Sequence, residues 1–169
     1  PSAQRDESFC GDGEMVLVRI SRPSSPRQLQ RALKIMALNI TRTVKQMVAE
    51  ANEHVEEISI ADARDLIGRD DVLFIDIRDI REVAKTGRIT GARHVPRGML
   101  EMWIDPDTPY HREFFAEDKK FIFYCAGAWR SALAAKTAQD MGLTPVAHLE
   151  GGITAWIDTG GPIDPPKDK

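Results

Sequence analysis

The residues best placed for chemistry are Cys125, Arg130 and Ser131, spaced Cys-x4-Arg-Ser around Ala126, Gly127, Ala128 and Trp129. Small residues leading into a helix let successive backbone N–H groups turn inward, which makes a nest for an anion. The amide dipoles and Arg130 are expected to favour thiolate over thiol at Cys125. A thiolate beneath such a nest is a nucleophile aimed at anionic substrates. A lone cysteine is more often a buried structural thiol. Its position between a strand and a helix, with the arginine and serine behind it, favours the reactive reading.

Two elements must hold that loop. Residues 121–124, Phe-Ile-Phe-Tyr, form a short apolar run suited to a buried strand. From Ser131 the composition turns to Ala, Leu, Lys and Gln, predicting a helix over about 130–141. The surrounding chain repeats this alternation. Strands are expected at 58–60, 72–77, 93–96 and 146–149. Helices are expected over 60–67, 79–85, 98–104 and 112–116, and near 153–158. Alternating strands and helices imply a parallel sheet covered on both faces. Ligands of such sheets bind beyond the strands' C-terminal ends, where Cys125, Asp76 and Pro96 would fall.

The run from Cys125 through Ser131, Ala132, Leu133, Ala134 and Ala135 resembles the active-site loop of rhodanese-family sulfurtransferases. Two more stretches are similar to the same family in the same order. One is Leu73, Phe74, Ile75, Asp76, Ile77, Arg78, followed by the segment from Gly87 to Pro96. The other is Leu149, Glu150, Gly151, Gly152, Ile153, Thr154, Ala155, Trp156, with Gly160, Gly161 and Pro162 behind it. Arg88 and Thr90 stand where the family usually has His and Pro, which bears on the shape of that turn.

The resemblance covers roughly 57–163 and implies a rhodanese-like α/β fold: three layers, a mostly parallel central sheet with helices on both faces, and an N-terminal helical extension. It implies Cys125 as nucleophile and the backbone from Ala126 to Arg130 as the substrate- and persulfide-binding loop. Asp76 and Arg78 would be supporting residues, and Glu82 could pair with Arg78. His111 closes the long loop 105–111, of the type that carries function, and the family's similar Trp-x-Asp-Pro-x-x-Pro-Tyr-His stretch implies that Trp103, Tyr110 and His111 could wall the pocket. Trp129 is read as a hydrophobic plug holding the loop against the body. The implied reaction moves a sulfane sulfur from thiosulfate or another small anionic donor to cyanide, a thiol or a protein through a Cys125 persulfide. One alternative is a cysteine-based phosphatase or arsenate reductase of related fold, but those loops are one residue longer, Cys-x5-Arg. The other is a non-catalytic rhodanese-like binding module, which would be expected to lack the cysteine or its loop. No cofactor is implied, and no metal: His54, His94 and His148 are not spaced as ligands.

Composition bounds the partners. Residues 15–49 hold seven of the 23 basic residues and none of the 26 acidic ones, leaving the rest of the chain at −10. An acidic body argues against nucleic acid. No run of about 18 apolar residues is present, so no membrane span is expected. Cys10 and Cys125 suggest no disulfide framework, and a reducing cytoplasmic setting suits a catalytic thiol.

Residues 1–26 lack a sustained period and are expected to be poorly ordered, and Cys10 is given no role. Residues 27–56 read as an amphipathic helical extension with apolar Leu29, Leu33, Met36, Ile40, Val44, Met47, Ala51 and Val55 on one face, broken near 39–43. That stripe would dock on the domain or pair two copies as a homodimer. Residues 57–163 are the expected domain and 164–169 a tail. The sequence opens on Pro1, so trimming is expected; were Met15 the true start, the basic stretch would read as an organelle-targeting segment.

Overall fold

The computed structural model describes residues 25–27 and 40–166. The readings for most of 1–39, Cys10 included, and for 167–169 lie outside the described residues.

Helix α1, Val44–His54, opens with a capping box in which the Thr43 hydroxyl accepts from Gln46 N and the Gln46 side chain accepts from Thr43 N. The preceding residues 40–43 are not helical, in keeping with the expected break. Strand β1, Glu56–Ile58, follows directly. Ser59, expected inside that strand, instead caps α2, Ile60–Asp65, by accepting from Asp62 N. Strand β2 is Val72–Asp76 and α3 is Ile80–Thr86, capped by Asp79. Short strands β3, Arg88–Ile89, and β4, Arg93–His94, come next. A 3-10 turn at Arg97–Met99 leads into α4, Leu100–Ile104, and a second covers Glu113–Ala116. Strand β5, Lys120–Tyr124, precedes α5, Trp129–Asp140. Strand β6, Val146–Leu149, α6, Gly152–Asp158, and β7, Ile163–Asp164, complete the chain.

The main sheet runs β1-β6-β5-β2-β4 with every pairing parallel. Parallel strands are buried on both faces, and the alternation shows it. Phe121, Phe123 and Cys125 pack with Val146, Ala134, Ala135 and Ala138 on one side. Ile122 and Tyr124 pack with Ala147, Leu149, Ile153 and Trp156 on the other. Because all five strands point the same way, the ends of β2, β4 and β5 share one edge. Asp76, Pro96 and Cys125 are at or just beyond those ends.

Of the expected stripe, Ala51 and Val55 are buried, and Val44 and Met47 are not. Val48 and Ala51 are buried with Ala132, and Leu133 packs on them, while Val44 and Met47 are exposed. Val48 and Ala51, an i, i+3 pair, share the face turned toward α5. This part of the extension docks on its own domain. The pair β3–β7 was not foreseen. It is a two-residue antiparallel ribbon, Arg88 opposite Asp164 and Ile89 opposite Ile163, too short to show a period. The ribbon holds the turn where Arg88 and Thr90 depart from the family pattern: Arg88 Nε lies 3.4 Å from an Asp164 carboxylate oxygen, and Thr90 N donates to Pro162 O at 3.3 Å.

Candidate active site

Cys125 leaves the central strand β5 and is buried, 1% exposed. The chain behind it reverses through Ala128 at φ +70°, the left-handed region that a residue with a Cβ seldom occupies. Such an outlier is held only where the surroundings over-determine it, and it is a mark of functional loops. It points the loop into the first turn of α5. Among the described residues the amides of Ala126, Gly127, Ala128 and Arg130 donate to no backbone carbonyl, whereas Trp129 N donates to Gly127 O at 3.0 Å. Four of the five expected nest amides are thus open to a ligand, and that of Trp129 closes the turn.

The loop carbonyls are held from behind. Ile153 N donates to Cys125 O at 2.8 Å and Thr154 N to Ala126 O at 3.2 Å. This approach requires Gly152: a Cβ there would lie 2.5 Å from Cys125 O and 2.7 Å from Ala126 O, and its φ is +62°. The closing Gly151, Gly152 motif is therefore part of the loop's mounting. The Ser131 hydroxyl sits 3.6 Å from Cys125 Sγ and 2.8 Å from Ala128 O, so its one proton serves the carbonyl or the sulfur in turn.

Arg130 carries a carboxylate partner. Its two terminal nitrogens donate to Glu82 at 2.7 and 2.8 Å. Glu82 holds the Arg130 guanidinium above its ordinary value, with Cys125 adding in the same direction. Arg130 in return lowers Glu82. The expected Arg78–Glu82 pair is replaced: Arg78 turns inward instead. Its Nε and Nη2 bond the Asp76 carboxylate at 2.6–3.1 Å, with Nη1 to Thr86 Oγ1 and Nη2 to Gly87 O. Both ends of this pair are buried. Burial opposes the Arg78 charge, but Asp76 outweighs it and the guanidinium stays raised. The same strand edge carries Tyr124, whose hydroxyl accepts from Ile89 N at 3.1 Å. Burial, with the Asp76 carboxylate nearby, pushes its phenol up. Asp76 and Arg78 thus brace the turn beside the loop.

Trp129 is not a plug. Its residue is 53% exposed, because the left-handed Ala128 starts α5 with Trp129 on its outer side. Trp103 lies under Arg112, 4.6 Å from guanidinium carbon to ring centre, and Tyr110 is exposed. Neither they nor His111 line the two clefts that flank the loop at Ala126 and at Arg130. Sequence reasoning missed Glu82 as the partner of Arg130 and Gly152 as the loop's backing. His148 is fully buried on β6, both ring nitrogens without a hydrogen-bond partner among the described residues.

A model of the rhodanese-like domain matches residues 59–159. The chain belongs to this family. Among solved structures, a protein of unknown function from Rhodopseudomonas palustris, named as a possible tyrosine phosphatase, is 59% identical with a TM-score of 0.72, covering 74% of this chain and 96% of the other. A rhodanese-related protein from Thermoplasma volcanium is 27% identical, TM-score 0.52, covering 64% and 97%. A thiosulfate sulfurtransferase from Pseudomonas aeruginosa shares the rhodanese fold at 23% identity, TM-score 0.61, over 75% of this chain and 23% of that one. Curated relatives include a mouse thiosulfate sulfurtransferase/rhodanese-like domain-containing protein 3, 23% identical over 59% of this chain and 67% of its own length. A tRNA uridine(34) hydroxylase of Acinetobacter baumannii is 33% identical over 56% of this chain, but the match spans only 29% of the hydroxylase.

Proposed function

We propose that this rhodanese-like protein is a sulfurtransferase working through a persulfide on Cys125. The observation that carries the reading is the six-residue loop 125–130, with a buried sulfur at its foot and amides of Ala126, Gly127, Ala128 and Arg130 free to face an anion. In the first half-reaction the Cys125 thiolate attacks the outer sulfur of thiosulfate. A Cys125–sulfur bond forms, the donor's S–S bond breaks, and sulfite leaves with the electron pair. The terminal persulfide sulfur then carries negative charge against the open amides. In the second half-reaction a nucleophile attacks that terminal sulfur, taking it away and returning the thiolate. With cyanide the product is thiocyanate. Two half-reactions on one residue give ping-pong kinetics. Arg130 draws in the anionic donor, and Ser131 offers its proton to the sulfur when the thiolate is free.

The phosphatase suggestion attached to the Rhodopseudomonas palustris relative names a second chemistry for the same cysteine. A phosphoryl group is tetrahedral with three charged oxygens. The Cys-x4-Arg loop is one residue short of the Cys-x5-Arg nest that cysteine-dependent phosphatases use, which favours sulfur over phosphate. The tRNA named for the hydroxylases is disfavoured as a partner by the acidic body.

The test is intact mass. Incubation with thiosulfate should add one sulfur atom, cyanide should remove it, and Cys125→Ser should gain none. A chain that gains no sulfur and hydrolyses aryl phosphate efficiently would overturn the reading in favour of the phosphatase.

A further inference from the structure

A cleft of about 370 Å3 lies between α3 and α6 and reaches the Cys125 loop at Ala126, whose amide is one of the four open to a ligand. Small-molecule sites are of this size. Ile153 and Ile157 of α6 supply its apolar surface.

The charges that line it differ in how far they are already engaged. Arg78 is held by Asp76, and Glu82 by Arg130. Lys85 and Asp158 line it too, both exposed, and neither side chain has a hydrogen bond or ion pair among the described residues. Their places on the helices put them at the mouth. Glu82 marks the loop end of α3 by bonding Arg130, and Lys85 is three residues on, roughly 4.5 Å along the axis. Thr154 marks the loop end of α6 by donating to Ala126 O, and Asp158 is four residues on, roughly 6 Å. The two free charges thus stand about one helical turn out from the loop, one on each wall.

The other cleft beside the loop, between α1 and α5, is unlike this one. Its Arg42, Arg97, Arg130 and Lys136 each meet a carboxylate. Among the arginines and lysines lining the two clefts, Lys85 alone lacks a carboxylate partner among the described residues. A paired charge is largely cancelled at a distance by its partner, whereas a free one acts on an approaching ion in full.

We propose that small reagents reach Cys125 through the α3–α6 cleft, and that Lys85 and Asp158 select them by charge at its mouth. Lys85 is then the specificity-determining residue for an anionic donor, and Asp158 opposes it. Cys125 is only 1% exposed, so a reagent meets it by passing over Ala126. For thiosulfate the proposal rests on the sulfur-transfer reading: the donor's oxygens stay toward Lys85 while its outer sulfur goes down to the thiolate. Sulfite leaves by the same path, and no further reactant enters.

Alkylation of Cys125 by iodoacetate and by iodoacetamide tests the entrance without any sulfur transfer. In both reagents the thiolate displaces iodide from carbon, and the two differ by one negative charge. Their rate ratio at Cys125, read by peptide mass in the full chain, cancels any change in the reactivity of the thiol itself. At low salt the ratio of iodoacetate over iodoacetamide should fall about two- to threefold in Lys85→Gln and rise by a similar factor in Asp158→Asn, the effect of one unit charge at roughly 8 Å in water. Both changes should shrink at high salt. Lys136→Gln, on the α1–α5 side, should leave the ratio where it is. A ratio unmoved by both Lys85→Gln and Asp158→Asn, or moved as much by Lys136→Gln, overturns the inference. The KM for thiosulfate, a dianion, should rise about fivefold in Lys85→Gln with kcat held; a fall in kcat at constant KM would overturn the role at the mouth. If thiosulfate never loads Cys125 while the alkylation ratio still follows Lys85 and Asp158, the sulfur-transfer reading falls and the entrance stands.

Discussion

Arg130 and Glu82 are joined by two hydrogen bonds of 2.7 and 2.8 Å across 48 residues of sequence. The pair ties the end of the Cys125 loop to the third residue of α3, whose own N-terminus Glu82 also caps by accepting from Asp79 N. One carboxylate therefore serves a helix cap and the charge of the candidate nest.

Glu82→Gln separates these duties, since Gln keeps the capping box while removing the charge that competes with an anionic donor. The KM for thiosulfate should fall, about two- to fivefold and more at low salt. Arg130→Ala should raise it about tenfold or more, the scale of one charge-assisted contact. Steady-state kinetics at two ionic strengths checks both signs; a rise in KM for Glu82→Gln would show that the carboxylate positions Arg130 rather than competing for it.

The same pair sets an acid limit. Arg130 lowers Glu82 below its ordinary value of 4.5, so its contribution is fully present above that pH and is lost as pH falls through the lower folded value. Thermal melts of wild type and Glu82→Gln should differ at neutral pH and converge in acid. A gap that persists at the acid end would assign the difference to the cap.

His148 gives a second, separate pH response. Burial pushes its imidazole below the ordinary 6.5, and the Glu57 carboxylate lies 3.9 Å from Nε2, beyond hydrogen-bond distance. The unfolded chain takes up a proton near 6.5 that the folded chain refuses, so stability holds above that pH and declines below it. His148→Leu should flatten the change in melting temperature between about pH 7.5 and 5.5, with about 2–4 °C recovered per kcal/mol at this chain length. An equal slope in both proteins would contradict this.

Gly152→Ala should damage the loop from behind. The new Cβ meets two carbonyl oxygens at 2.5 and 2.7 Å in a left-handed backbone, a strain of about 1–3 kcal/mol before any repacking. Persulfide formation should drop along with the melting temperature, while Cys125→Ser should lose the persulfide and keep its melting temperature. A Gly152→Ala protein with wild-type sulfur loading would show that the loop does not need that approach.

Asp76→Ala removes one partner of a buried ion pair and leaves Arg78 charged and unpaired, a loss of about 3–5 kcal/mol. Denaturant unfolding should register it as one of the larger single-residue effects in this chain.

What could be read in the sequence was local. Residues 121–124 are apolar without a break, 126–128 are small, and helix formers follow from Ser131, so strand, loop and helix were each legible within a few residues. Val146–Leu149 was legible for the same reason. What escaped depends on distant parts of the chain. Arg130 finds Glu82 only once α3 is laid beside the loop, and Arg78 turns from Glu82 to Asp76 because the buried end of β2 offers a bidentate carboxylate. Trp129 looks like a core residue by type, yet the left-handed Ala128 sets it facing outward. The stripe on α1 was legible at Ala51 and Val55, whereas Val48 is buried only because Ala132 and Leu133 of α5 pack across that face.

The place of β5 in the sheet has a consequence for motion. It is hydrogen-bonded on one side to β6 and on the other to β2, and neither neighbour is an edge strand. Backbone amides in such a position exchange with solvent only when the whole domain opens. Cys125 is thus anchored to the slowest-opening part of the molecule, while the surface pair of Arg130 and Glu82 can part on the timescale of side-chain rotation. Whatever adjusts during turnover does so at the rim, around a sulfur that stays put.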